Sequence, residues 1–241
     1  MNLLLLEDSD FDPAAGPGVR AVVCGERLRH VRKVLRAKGG DTLAVGRLGG
    51  GIGRGRIVEL NRDRVVLELG LLDREPPEPL PVTLVLALPR PKFVGRILQA
   101  AAAMGVKRIL LVHTVRVEKS YWQSSVMRPE SLRRHLMLGL AQARDTALPE
   151  IECLRGPREL TDALPGLVQE HEQVLVADAA GDEPCPLGVD GPTALLVGPE
   201  GGFLDEELAS YRHAGATVVS LGPRALRAEH AVVALLSRLA S

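Results

Sequence analysis

The sequence predicts two modules of different class, a small β-rich one over residues 1–72 and an α/β one over residues 82–241 with a mostly parallel sheet. Three observations carry this. Short strand-like runs surround a single helical stretch in the first 72 residues, and four prolines crowd residues 73–81, where they block both helix and ladder pairing. From Val82 onward short apolar runs alternate with segments of helical periodicity, the pattern of a parallel sheet covered on both faces. With 241 residues, 46% of them apolar, there is enough material for a core in each module.

In the first module, residues 19–23 are strand-like. Residues 26–35 place Leu28, Val31, Val34 and Leu35 at helical spacing, and residues 41–45 return to strand. Two further strands, 52–60 and 65–71, flank the polar turn Asn61-Arg62-Asp63-Arg64. The glycines at 49, 50, 51, 53 and 55 match neither phosphate-loop pattern and are expected to form a flexible hairpin tip. In the second module strands are expected at 82–88, 108–113, 151–154, 173–177, 194–197 and 217–221. Helices are expected at 92–104, closed by Gly105, and at 129–144, 206–213 and 228–239.

Net charge is zero, but it is unevenly spread. Residues 19–64 hold 12 basic against 4 acidic side chains, and residues 87–145 hold 11 against 3. Such blocks suit a phosphate backbone, and equally a solvated arginine-rich face. The apolar run at 3–6 is too short for a signal segment and no later run approaches a membrane span, so a cytoplasmic protein without a membrane partner is expected. Cys24, Cys153 and Cys185 are far apart and read as reduced structural thiols. No metal is expected, because the six histidines never fall at ligand spacing and are mostly structural. A hydrolase elbow is missing, and Leu88-Pro89-Arg90-Pro91-Lys92 stands where a dinucleotide fingerprint belongs.

Two turns remain as the candidate site. Gly198-Pro199-Glu200-Gly201-Gly202-Phe203 and Gly222-Pro223-Arg224 each follow a buried-type strand and precede a helix. Glycines there let backbone approach a ligand closely, while the prolines stiffen the entry. A ligand-free strand-to-helix connection would explain one such turn, but less readily two charged ones.

These residues resemble a known family. Leu196-Val197-Gly198-Pro199-Glu200-Gly201-Gly202-Phe203, followed by Leu221-Gly222-Pro223-Arg224-Ala225-Leu226-Arg227-Ala228-Glu229-His230-Ala231, is similar to the signature of the RsmE methyltransferases. Gly25-Glu26-Arg27-Leu28-Arg29-His30-Val31-Arg32-Lys33-Val34-Leu35-Arg36 resembles the family's N-terminal module, and Gly105-Val106 and Gln142 also match. Ala100, Ala103 and Ala141 depart from the charged residues that many members carry at those positions.

The resemblance implies a PUA-like RNA-binding β-barrel (1–72), a proline-rich linker (73–81) and a SPOUT methyltransferase domain (82–241) whose C-terminal segment makes a trefoil knot. It implies a homodimer that uses S-adenosylmethionine to methylate N3 of a uridine in 16S ribosomal RNA. The cofactor would be held by Leu196, Val197, Gly198, Glu200, Gly201 and Gly202 on one turn and by Leu221, Gly222, Arg224 and Leu226 on the other. Loss of the N3 proton needs a base and a stabilised oxyanion; Glu200 and Glu229 are the candidate carboxylates and Arg224 and Arg227 the candidate stabilisers, with Arg227 and Glu229 expected to act at the base and Glu200 mainly to order the cofactor turn. Arg29, His30, Arg32, Lys33 and Arg36, with Arg90, Lys92 and Arg116, are expected to meet RNA. Two alternatives stay open: a non-catalytic RNA-binding factor of ribosome assembly that retains the fold, and an enzyme acting on a small nucleotide.

Overall fold

The computed structural model describes residues 2–11, 19–156, 158–181 and 183–241, which form two compact units. The first comprises residues 1–78 and 137–148, the second 79–136 and 149–241. The division falls inside the proline-rich stretch, and it gives residues 137–148 to the first unit.

The first unit is a five-stranded mixed sheet: β1 (Leu4–Leu6), β2 (Arg20–Cys24), β3 (Thr42–Arg47), β4 (Ile52–Leu60) and β5 (Arg64–Leu69), in the order β1-β3-β4-β5-β2. Only the β1–β3 pair is parallel. The helix α1 (Gly25–Lys33) turns Leu28 and Val31 into a core with Leu4, Leu6, Val23, Val45 and Leu67. Arg27 fastens it by a two-pronged pair to the buried Asp10, with Nη2 donating to Oδ1 at 2.7 Å. The turn after β4 closes on Asn61, whose Oδ1 accepts the N–H groups of Asp63 and Arg64 at 2.8 and 2.9 Å.

The glycine-rich hairpin between β3 and β4 differs from expectation in its reason. A Cβ on Gly51 would stand 2.0 Å from the carbonyl oxygen of Leu72, and one on Gly53 2.1 Å from that of Leu71. These glycines admit a neighbouring stretch of chain, which Ile52 and Arg74 stitch on by two backbone hydrogen bonds, at 2.8 and 3.1 Å. Their purpose is close packing rather than flexibility. Residues 137–148 seat on the same hairpin, with Gly49 N–H donating to Thr146 O at 2.8 Å and the Thr146 hydroxyl to Gly50 O at 2.5 Å.

The second unit is a seven-stranded, wholly parallel sheet. Its strands are β6 (Val82–Ala87), β7 (Arg108–Val112), β8 (Glu150–Leu154), β9 (Gln173–Ala177), β10 (Glu183–Pro184), β11 (Thr193–Val197) and β12 (Thr217–Ser220). Their order is β10-β12-β9-β11-β6-β7-β8. Every residue of β6 and β11 is buried, which is why these strands read as unbroken apolar runs. The helices are α2 (Pro91–Ala103), α4 (Glu159–Glu170), α5 (Asp205–His213) and α6 (Ala228–Leu239), together with the start of α3 (Pro129–Ala143), whose residues 137–143 belong to the first unit. Pro165 and Gly166 hid α4 from sequence reading. Both lie on its solvent side, where a proline ring and a missing side chain cost the core nothing, while Leu160, Leu164 and Leu167 are buried.

Histidines serve the packing here. His135 of α3 lies against Gly95 of α2 and shares a 2.9 Å hydrogen bond with Gln99; burial, then Arg134, lowers its pKa. His171 bridges Leu167 O and the Thr83 hydroxyl, each at 2.8 Å. Among the described residues no helix is long and apolar enough to cross a membrane.

Gly53→Ala is expected to lose about 1–3 kcal/mol of stability, because the Leu71 carbonyl is backbone and cannot swing aside. Gly39→Ala, with nothing within 4 Å of the added carbon, should stay within about 0.5 kcal/mol. Urea denaturation midpoints of the two variants and the parent measure the contrast.

Candidate functional site

Strand register places the site. Val197, the last residue of β11, lies beside Leu86 of β6 and Ala177 of β9, and Ala177 lies beside Val219 of β12. Three neighbouring strands therefore end level, and the turns that leave them wall a cavity of about 380 Å³. Carboxyl ends of parallel strands are where an α/β sheet leaves its backbone open to a ligand.

The turn after β11 is tied from several directions. Gly202 N–H donates to Pro199 O at 2.8 Å, and Gly202 takes a φ of +71°, which favours glycine. Phe203 is buried and meets Tyr211 of α5 edge-on, with ring centroids 5.3 Å apart. Burial, then Glu207, pushes the Tyr211 phenol far up, so it stays neutral beneath the turn. The Glu200 carboxylate accepts the backbone N–H of Arg90 at 3.0 Å and so bolts this turn to the loop after β6. Arg116 crosses from the loop after β7 and donates to the carbonyls of Gly201 and Phe203, the latter at 3.3 Å. Glu207 joins the same loops, accepting from Leu204 N–H at 2.8 Å and Val115 N–H at 3.1 Å.

The other two walls are simpler. After β9, Asp178 uses Oδ1 to accept Ala180 N–H at 2.9 Å, while Oδ2 lies 3.8 Å from where a Cβ on Gly202 would be. With Glu200 bound to Arg90, Asp178 is the carboxylate left facing the cavity among its described lining residues. After β12, Gly222 takes a φ of +102°, and the chain then runs exposed through Arg224 and Leu226 to α6. Leu221, Leu226 and Leu235 give this side an apolar wall.

Of the residues expected to hold a cofactor, Val197, Gly198, Glu200, Gly201 and Gly202 line the cavity on one side. Leu221, Gly222, Arg224 and Leu226 line it on the other. Leu196 does not: it is 1% exposed and its side chain fills the sheet core, one residue before the strand opens into the turn. Arg227 and Glu229 lie beside the cavity rather than in its wall. Arg227 is the exposed N-cap of α6, and Glu229 sits in the first turn with Oε2 buried and no hydrogen-bond partner among the described residues.

The expected RNA contacts fall into two groups. Arg29, His30, Arg32, Lys33 and Arg36 lie on or just after α1 in the first unit. All but the half-buried His30 are exposed, and Arg29 pairs with Glu26 at 3.2 Å. Arg90 and Lys92 stand exposed at the start of α2, Lys92 with its Nζ 4.8 Å from the Phe93 ring centroid. Arg116 braces the first turn, a part that sequence alone did not suggest. Sequence reading also passed over Asp178, although Ala177-Asp178-Ala179-Ala180-Gly181 repeats the pattern of an apolar strand opening into small residues.

Residues 76–240 match the model of the RNA methyltransferase domain family. The chain is 32% identical over 238 residues to ribosomal RNA small subunit methyltransferase E of Mycobacterium tuberculosis, covering 93% of this chain and 87% of that protein. It is 29% identical over 216 residues to the protein so named in Treponema pallidum, covering 86% and 80%. The solved structure of ribosomal RNA small subunit methyltransferase E of Neisseria gonorrhoeae, bound to S-adenosyl methionine, superposes with a TM-score of 0.72 at 21% identity over 98% of this chain and 95% of that one. A methyltransferase structure from Legionella pneumophila gives 0.71 at 23%, over 98% and 96%. These structures share the fold, a mixed sheet followed by a parallel one.

Glu200→Ala removes the acceptor of the Arg90 amide. Counting about 1 kcal/mol for a part-exposed charged hydrogen bond, exchange of that amide should quicken roughly five-fold by hydrogen-exchange NMR, while amides in β11 keep their rates.

Proposed function

The chain belongs to the ribosomal RNA small subunit methyltransferase E family, and from that premise we propose that it transfers a methyl group from S-adenosylmethionine to N3 of a uridine in 16S ribosomal RNA. The observation that carries the reading is the cavity walled by glycine-rich backbone at three level strand ends, inside the segment that matches the RNA methyltransferase family.

The residues present fit the cofactor. The cavity volume suits a small organic ligand, the leucine wall suits an adenine, and the Asp178 carboxylate suits ribose hydroxyls or an ammonium group. Val197, Gly198, Gly201, Gly202, Leu221, Gly222, Arg224 and Leu226 would hold it, with Glu200 ordering the turn through Arg90. When bound, S-adenosylmethionine supplies an electrophilic methyl group on a sulfonium.

The chain's own residues deal with the base. A neutral imide nitrogen is a poor nucleophile, so its proton must be taken and the charge that develops on the uracil oxygens dispersed. Glu229 is the proposed acceptor of that proton: it stands in the first turn of α6 beside the cavity, and its buried Oε2 has no hydrogen-bond partner among the described residues. Arg227, exposed on the N-cap of the same helix, is the proposed stabiliser of the oxyanion.

Residues 1–72 form the PUA-like RNA-binding module, 73–81 the linker and 82–241 the SPOUT domain. Its C-terminal segment threads into a trefoil knot, a reading favoured by a strand order that sets β11 between β6 and β9 with β12 beyond. Two copies associate as a homodimer. RNA is met by the exposed cations of α1 and by Arg90 and Lys92.

Mass-spectrometric mapping of nucleosides in ribosomal RNA incubated with the purified protein and S-adenosylmethionine should reveal one N3-methyluridine. Arg227→Ala should cut its formation about 100-fold or more; an undiminished rate removes Arg227 from the catalytic role. RNA affinity should fall steeply with salt, and in Arg32→Ala/Lys33→Ala the slope of log affinity against log salt should shrink by roughly two. Fluorescence anisotropy across a salt series measures both slopes.

A further inference from the structure

Six aromatic residues serve the whole chain, and their placement in the second unit is uneven. Phe203 and Tyr211 are buried under the first turn, whereas Phe93, Tyr121 and Trp122 are only half-buried. All three of the latter follow β6 or β7 at the carboxyl edge of the sheet, among exposed cations.

Contacts lead from the cavity wall to Tyr121, and Trp122 follows it in the chain. Glu200 in the cavity wall accepts Arg90 N–H, and the Arg90 side chain neighbours the Tyr121 hydroxyl. That hydroxyl donates to Glu118 Oε1 at 3.0 Å, which engages the acidic group nearest the ring. Trp122 comes next. Its Nε1–H donates to Nδ1 of the buried His113 at 3.1 Å, which fixes the plane of the indole from behind. The guanidinium of the exposed Arg155, just after β8, lies over that ring at 5.6 Å. The line follows the strand order β11-β6-β7-β8, so with strands about 4.8 Å apart it extends roughly 14 Å from the cavity wall.

We propose that this rim is a nucleotide-stacking subsite, which takes an unpaired RNA nucleotide flanking the one presented to the cavity. Its base lies on Trp122, and its phosphates meet Arg90 and Arg155. The inference rests on the reading of the protein as an RNA methyltransferase and adds the means by which it grips single-stranded substrate. An aromatic ring kept for core packing would be buried as Phe203 is. An indole oriented by a buried histidine, left part-exposed and bordered by arginines, matches the combination of π-face and cation that binds unpaired bases without regard to sequence.

Trp122 is the single tryptophan of the chain, so fluorescence of the full-length protein excited at the red edge, where tyrosine does not absorb, reports on this ring alone. Titration with a short single-stranded RNA should quench the emission saturably, and an oligomer of equal length with abasic riboses should not. Trp122→Ala should weaken RNA binding roughly 5- to 150-fold. Its affinity for S-adenosylmethionine by calorimetry should not change, and Trp122→Phe should recover most of the RNA binding. Unchanged emission where anisotropy of labelled RNA shows the site filled, or equal quenching by the abasic oligomer, overturns the subsite. So does a Trp122→Ala protein that changes oligomeric state by sedimentation, since the ring then belongs to a subunit interface. Should Trp122→Ala fail to fold, the wild-type titrations and Trp122→Phe decide. Base-dependent quenching without any methyl transfer would leave the subsite standing and refute the methyltransferase reading. Methyl transfer by Trp122→Ala with unaltered KM for RNA would do the reverse.

Discussion

Everything in the second unit depends on the common level at which β9, β11 and β12 end. Because parallel strands here are covered on both faces, their side chains are committed to the core, and the sheet can offer a ligand only the backbone at its carboxyl edge. A site built there needs turns that hold their amides and carbonyls still without crowding the space between them. Glycine supplies the room, with positive φ at Gly202 and Gly222. Stillness at the first turn comes from ties to its surroundings: the Glu200 carboxylate on Arg90 N–H, Arg116 on two carbonyls, and Phe203 against Tyr211. The bracing side chains are thus charged residues turned toward backbone, which is why they look in the sequence like residues waiting for a substrate.

That exchange of roles limits what charge counting conveys. The two basic blocks are real, yet many of their members are already engaged. Arg27 secures α1 to Asp10, Arg47 meets Asp8 at 2.9 Å, Arg64 meets Glu59 at 3.0 Å, Arg108 meets Glu170 at 2.7 Å, and Arg116 braces a turn. On α1 the division is clear within a single helix. Arg27 faces inward to an almost buried carboxylate, whereas Arg32 and Lys33 stand in solvent near the C-terminal end. The inward pair fixes the helix, and the outward cations inherit that fixed position, which is what phosphate recognition by shape requires.

Legibility in the sequence followed locality. The strand Gln173–Ala177 and the helix Ala228–Leu239 were readable to the residue, because an apolar run or a helical period is written in adjacent positions. The two glycine-proline turns were readable as a site for the same reason. What escaped depends on residues far apart in the chain. Leu4–Leu6 becomes a strand only because β3 lies parallel to it, and α4 forms over Pro165 because its proline faces water. Residues 137–148 join the first unit through contacts with the β3–β4 hairpin that no periodicity records. Leu196 belongs to the cofactor motif by its place in the chain, yet its side chain is buried in the sheet, so only its backbone is left for a ligand.

Glu229 presents the sharpest energetic question at the site. A buried carboxylate oxygen without a hydrogen bond costs about 1–3 kcal/mol, and native proteins rarely keep one without use. Its place in the first turn of α6 offsets part of the cost, since the helix N-terminus favours a negative charge. A dipole, however, does not occupy a lone pair. The backbone amides that follow are no remedy either, because His230 and Ala231 N–H are spent on the carbonyl of Arg227, leaving Glu229 Oε2 with its capacity intact. The first turn of α6 therefore closes on itself through backbone and holds one acceptor in reserve, next to an exposed arginine at the edge of a cavity.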